Sequence, residues 1–256
     1  MMKPISIQLH TVRELTKDGN HVDVLRQIAD IGYKAVEGHG FGLPNKEYVS
    51  LLDDLGLQLS SSWLPLPTAE TLPEFLDNAH ELGIKHVIGG FWIPEFESVE
   101  AISHTADRLN AVLPAIKSAG IVFSLHNHWI EFEMLEGKYR IDHLLERVPG
   151  LNLEIDIYWC TNFAANRSEE VVKKYRDITP MLHVKDGSQV RDDPMTAVGS
   201  GTLDIPATLH AANPDLLDWL VVELDACATD MMTAVSDSYR YLVGHGLALG
   251  NRPVEA

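Results

Sequence analysis

The chain has 256 residues, 45% apolar and 22% charged, so it is long enough to bury a sizeable core and is neither a disordered chain nor a disulfide-stapled mini-protein. Its 20 basic residues against 37 acidic ones leave a formal charge of −17, which repels nucleic acid and argues against polyanionic partners. Cys160 and Cys227 make no disulfide framework, and no apolar run reaches the roughly 18 residues that span a bilayer, so a cytoplasmic protein without a membrane partner is expected.

In chain order, a first strand is predicted at 5–9, followed by His10-Thr11-Val12-Arg13 and not by the glycine-rich turn of a dinucleotide fold. A helix over 22–31 comes next, with apolar residues at 22, 24, 25, 28, 29 and 31, and then a strand at 33–37. Further strands are predicted at 57–62, 84–88, 121–126, 151–156, 181–185 and 219–223, rich in Ile, Val and Leu as strands covered on both faces should be. A long helix fills 98–119. Amphipathic segments close at Gly32, Gly56, Gly83, Gly120 and Gly150 just before strands, because Gly ends a helix in a left-handed conformation without a Cβ penalty. Eight strands alternating with helices predict one (β/α)8 TIM barrel occupying 1–256 as a single α/β domain.

In such a barrel the loops after the strands form the functional face. The strand ends carry Gln8 and His10, Glu37 and His39, Ser62 and Trp63, Phe91 and Trp92. They continue with His126, Asn127, His128 and Glu131, then Asp156 and Trp159, His183, Lys185 and Asp186, and Glu223 and Asp225. Apolar strands ending four times in succession in Asp, His or Glu are hard to explain by packing, since such groups are seldom buried without partners. A divalent ion is the economical partner, and carboxylate oxygen with imidazole nitrogen suits Mn²⁺, Mg²⁺, Co²⁺ or Zn²⁺. Lys185 is placed to act as a base, to donate to a substrate oxygen, or to pair with a carboxylate. Trp63, Trp92, Trp129 and Trp159 all follow strands, and two of the four are expected at a pocket; Trp63 and Trp159 are carried as substrate-binding candidates with Gln8 and Glu37. Gly199-Ser200-Gly201 reads more readily as a turn than as an anion cradle.

Five stretches in order, Leu125-His126-Asn127-His128-Trp129-Ile130-Glu131-Phe132, Glu154-Ile155-Asp156-Ile157-Tyr158-Trp159, Leu182-His183-Val184-Lys185-Asp186-Gly187, Val198-Gly199-Ser200-Gly201-Thr202-Leu203-Asp204 and Val222-Glu223-Leu224-Asp225, resemble the sugar phosphate isomerase/epimerase family with the xylose isomerase-like barrel. The resemblance implies one divalent metal held from the last four strands. Asp156, His183 and Glu223 match directly, Glu131 is assigned as the fourth ligand, and His126 and His128 are kept as its substitutes. It also implies a small sugar or cyclitol substrate and proton transfer next to a carbonyl, with His126, His128, Lys185 or Glu223 moving the proton. Isomerisation or epimerisation is the main reading; the His-Asn-His branch, with its inosose dehydratase-like and keto-sugar lyase-like members, keeps elimination open. A homo-oligomer is left open as well. An endonuclease of the same barrel would want a basic surface, which the charge of −17 disfavours, and a non-catalytic sugar-binding barrel would not need the ligand set.

Overall fold

The computed structural model describes residues 2–38 and 40–254; the strand-end candidate His39 lies outside them. The barrel strands are β1 (Lys3–Gln8), β2 (Ala35–Glu37), β3 (Gln58–Trp63), β4 (His86–Gly90), β5 (Val122–His126), β6 (Asn152–Asp156), β7 (Met181–Val184) and β8 (Trp219–Val222). Each pairs in parallel with the next, and β8 pairs back onto β1 at Ile5↔Leu220 and Ile7↔Val222, so the sheet closes. Around it run α1 (His21–Ile31), α2 (Asn45–Asp54), α3 (Leu72–Glu81), α4 (Val99–Ser118), α5 (Arg140–Leu145), α6 (Ser168–Tyr175), α7 (Ile205–Ala211) and α8 (Met231–Gly244). This is the closed parallel barrel expected from the alternating pattern. No helix among the described residues is long and apolar enough to cross a membrane.

Local chemistry sets the element boundaries. The predicted start of α4 is one residue early because Ser98 is its N-cap, its hydroxyl accepting the Ala101 N–H at 3.1 Å. α1 buries Val24, Leu25 and Ile28 against the barrel, the face its apolar spacing marked. At Gly32, which follows it, φ is +120° and a Cβ would meet the Tyr239 hydroxyl at 2.4 Å, so both conformation and space require glycine. β2 begins at Ala35 rather than at 33. Tyr33 belongs to the turn, its N–H bonded to Ile28 O and its hydroxyl to Val235 O at 3.0 Å.

Three short strands were not predicted. Met134–Leu135 pairs with Lys138–Tyr139 around Glu136-Gly137, both left-handed at φ 49° and 87°. Ala248–Leu249 adds to β1 at Lys3 and Pro4. The main apolar core lies between barrel and helices, while Ile88, Met181 and Val221 form a separate small plug. Register places these three beside Ser124, Glu154 and His183, so the plug fills the barrel and the polar groups crowd above it.

Candidate metal centre and active site

Parallel register converts three separate strand ends into one cluster. His126 of β5 is paired with Glu154 of β6, and Asp156 of β6 with His183 of β7, so these side chains share the inner face of the barrel. His126, Asp156, His183 and Glu223 each offer a ligand atom within 4.8 Å of the others, and all four are buried. Glu37, Glu154 and His183 form a second such group.

Glu131, the strand-5 carboxylate expected to ligate, is not brought into either group. Beyond His126 the chain leaves the barrel and makes a helical turn at Ile130–Phe132, where the buried Glu131 carboxylate accepts the His128 N–H at 2.9 Å. Burial with no cation beside it pushes the Glu131 pKa up to about 8. His126, held as its substitute, occupies the fourth corner.

His183 is the hub. Its Nδ1 lies 2.8 Å from Glu223 Oε2, and its Nε2 lies 2.8 Å from Glu37 Oε1 and 3.1 Å from Glu154 Oε2. Burial opposes its charge, yet Glu154, Glu37 and Glu223 outweigh this and hold its pKa well above the ordinary value. His126 shows the opposite balance: burial, then His183, drive its pKa well down, although Nδ1 reaches Glu154 Oε2 at 3.1 Å. Lys185 is buried with Nζ 2.9 Å from Asp156 Oδ2 and 2.8 Å from both Glu223 Oε2 and Asp225 Oδ2. Here too burial opposes the charge and the three carboxylates outweigh it, so the amine is held as ammonium. Of the expected roles, pairing with carboxylates is the one this arrangement shows.

The donor set fits a divalent cation. Glu37, Glu154, Asp156, Glu223 and Asp225 surround one ammonium and the imidazoles, with two carboxyl oxygens, Glu154 Oε1 and Asp156 Oδ2, buried without a hydrogen-bond partner. Lys185 reaches Asp156 Oδ2 as an ion pair only, and burial still raises the Asp156 pKa despite it. Glu154 is raised further, by burial and then by the charge on Glu37. Buried carboxyls held toward protonation, each with an oxygen that accepts no hydrogen bond, are what a hard cation with oxygen and imidazole ligands relieves. Ligation through either His183 nitrogen would replace one of its carboxylate contacts.

Beside this cluster opens a cavity of about 530 Å³, lined by Gln8, Trp63, Trp92, His126, His128, Lys185 and Glu223 among others. His126 and His128 both face it, as their alternation required. His128 stacks on Trp92 (centroids 4.8 Å apart, planes at 25°), and burial, then Lys185, push it down to about 4, leaving it neutral with Nδ1 unpartnered. Two of the four tryptophans line the cavity, Trp63 and Trp92. Trp159 packs beside Trp129 outside it and donates Nε1 to Asp225 Oδ2 at 3.2 Å. Glu37 does not line it either. It is fully buried below, accepting from Gln8 Nε2 at 2.6 Å, from the Ser61 hydroxyl and from Trp63 Nε1 at 3.3 Å, which orients it toward His183. The Gly199 and Gly201 N–H groups are taken by the buried Asp186 carboxylate at 2.9 and 3.0 Å, so this segment is a clamped turn and cradles no anion.

Sequence reading passed over Glu154 and left Asp225 without a role. The available signal for Glu154 was its spacing two residues before Asp156, which puts both on one strand face.

No curated protein matches the chain in sequence. Among solved structures, a sugar phosphate isomerase/epimerase from Parabacteroides distasonis is similar with a TM-score of 0.77 at 24% identity, covering 94% of each chain. A probable 3-DHS dehydratase involved in petrobactin synthesis, from Bacillus anthracis, is similar with a TM-score of 0.71 at 12% identity over 94% of this chain and 98% of that one. The IolI protein, whose structure has a binding zinc atom, gives a TM-score of 0.71 at 15% identity over 95% of this chain and 97% of its own. At these identities the likeness is one of fold. The family model described as xylose isomerase-like TIM barrel matches residues 25–242, and the chain belongs to that family.

Proposed function

We propose that the protein is a divalent-metal-dependent enzyme that isomerises or epimerises a sugar, keto-sugar or cyclitol by moving a proton next to a carbonyl. The observation that carries this reading is the convergence of His126, Asp156, His183 and Glu223 within 4.8 Å beside a cavity of about 530 Å³. These four residues would hold the ion. When bound, Mn²⁺, Mg²⁺, Co²⁺ or Zn²⁺ supplies electrophilic polarisation of a carbonyl or hydroxyl oxygen.

The chain's own groups divide the proton work. His128, neutral and lining the cavity, accepts the proton from carbon. Lys185, held charged by Asp156, Glu223 and Asp225, donates to a substrate oxygen. Gln8 fixes Glu37, and Glu37 fixes His183, so the cluster is oriented from below. Trp63 supplies an apolar wall. A second reading, elimination of water or of a glycosyl group, is favoured by the same pair: one neutral acceptor and one charged donor line a single cavity, as removal of a proton and departure of an oxygen require. The expected setting is the cytoplasm, where Cys160 and Cys227 remain thiols.

The test is to load the protein with each metal in turn and to follow ketose, inosose and 3-keto-glycoside substrates in D₂O by NMR. Deuterium entering the carbon beside the carbonyl, with product of unchanged composition, is the expected outcome. Loss of water or of a glycosyl group assigns elimination. Neither deuterium uptake nor conversion with any substrate and metal overturns both readings.

A further inference from the structure

A second cavity of about 320 Å³ opens beside the first, and Asp225 lies on the rim of both. Its walls are aromatic. The Trp129 and Trp159 rings are 5.5 Å apart, and the Phe163 ring lies 5.9 Å from each. The Arg191 guanidinium stacks 4.0 Å above Phe163 and 5.7 Å from Trp129, completing an outer wall. Phe163 is presented by three consecutive left-handed residues, Asn162, Phe163 and Ala164, at φ 46°, 55° and 67°. Such backbone is costly for residues with a Cβ and persists only where the surroundings impose it. Here Asn166 pins the loop by donating to Phe132 O at 3.1 Å and Cys160 O at 3.0 Å. Trp159 lines this second cavity, and Lys185 Nζ, whose residue lines the first, sits 5.7 Å from its ring centroid. Nothing in the proton transfer proposed above uses Trp129, Phe163 or Arg191.

The cations around the first cavity are committed. Arg13 donates to His10 O at 2.8 Å and to Asp225 O at 2.6 Å, and Lys17 pairs with Glu14. Lys185 is ringed by three carboxylates, Arg191 is stacked on aromatics, and Asp192 and Asp193 add negative charge to the rim of the second cavity. Among the described residues lining the first cavity, every Arg and Lys already has an oxygen partner, so none is left free to grip a phosphate on the reacting sugar.

We infer that the reacting sugar is unphosphorylated and that the substrate carries a second, uncharged ring, which stacks on the aromatic wall of Trp129, Trp159 and Phe163 while the reacting sugar fills the first cavity. This rests on the proposed function for the place of the reacting sugar. A pyranose face and an aromatic ring share the flat apolar surface that stacks on indole, so either fits the cleft.

Calorimetric titration of the full chain in the presence of Mn²⁺, with glucose, glucose 6-phosphate, cellobiose and phenyl β-glucoside, tests it. At least one two-ring ligand is expected to bind about tenfold tighter than glucose, and glucose 6-phosphate no tighter than glucose. A preference for cellobiose identifies the second ring as a pyranose, and one for phenyl β-glucoside as an aromatic group. Phe163→Ala and Phe163→Leu should each erase the preference while leaving glucose affinity unchanged. Equal affinity for one- and two-ring ligands, tighter binding of glucose 6-phosphate, or a preference that survives both substitutions overturns the inference and leaves the proposed function standing. A two-ring preference without turnover in the D₂O experiment overturns the proposed function instead. If none of these sugars binds, both fall.

Discussion

At the amino-terminal end of the barrel, Lys85 and His86 share one carboxylate, with Lys85 Nζ 2.7 Å and His86 Nε2 2.9 Å from Asp218 Oδ2. At the carboxyl-terminal end, Lys185 and His183 meet Glu37, Glu154, Asp156, Glu223 and Asp225. Both ends combine Lys, His and acid. They differ in exposure and in charge balance. The Asp218 side chain is 36% exposed and Lys85 61%, so water completes their solvation, and Asp218 titrates below its ordinary value because Lys85 and His86 outweigh its partial burial. Asp225 apart, whose side chain is 36% exposed, the upper cluster is buried and has more acid than base, leaving two carboxyl oxygens without a hydrogen-bond partner. A staple needs its charges matched by neighbours, whereas a centre that is to receive a cation has to leave some of them unmatched.

Substitution at the two ends should separate these roles most sharply. Asp156→Ala or Glu223→Ala is expected to remove bound metal and cut turnover by about 10³-fold or more with the fold intact, read by metal analysis and circular dichroism. Asp218→Ala should leave both metal content and turnover unchanged and cost only about 1–3 kcal/mol of stability, for the imidazole partner it strands. Metal retained in both upper variants, or lost in the lower one, breaks the comparison.

Within the upper cluster the two strand-5 histidines should part company. His128→Ala is expected to lower turnover about 10²–10⁴-fold with metal kept, as for a proton-transfer group. His126→Ala should release metal as well. Identical metal content in the two variants would deny His126 its corner of the site.

Next in size is a pH effect. His183 is raised well above its ordinary 6.5 and must be neutral to ligate, so ion binding displaces its proton. Affinity should therefore climb with pH, by up to about tenfold per unit while one proton is released, and level off once the raised pKa is passed. Calorimetry in buffers of different ionisation enthalpy counts that proton; binding without proton release contradicts the assignment.

The smallest expected effect concerns Glu131. Its pKa rises from 4.5 in the unfolded chain to about 8 in the fold, so between these values the folded state holds the extra proton and stability falls as pH rises. Glu131→Gln removes that penalty. Its melting temperature should exceed the parent's at pH 8 by a few degrees and match it near pH 4.5, with metal content unchanged. Loss of metal in this variant would restore Glu131 as a ligand.

Much of this was legible along the chain. Each barrel strand appears within two residues of its predicted start, because strands covered on both faces are apolar throughout and the segments between them repeat every 3.6 residues. Asp156, His183 and Glu223 could be singled out because a charged group ending an apolar run needs a partner. Glu131 misled for a geometric reason: five residues past His126 the chain has left the barrel, so proximity in sequence to a strand end does not give proximity to the site. Trp159 follows β6 and turns from the first cavity to pack on Trp129 at the second.

The sequence by itself determined the repeating unit, the closed count of strands and the end of the barrel at which ionisable groups collect, since all three are periodic or local properties. Which groups meet there was decided only by the tertiary structure. Glu37 reaches His183 across 146 residues, and Glu154 comes level with His126 instead of with its own neighbour's partner, because strand register and barrel closure set both contacts. Register depends on the stagger of closed strands and on helices packing around them, and these are fixed jointly by residues far apart in the chain.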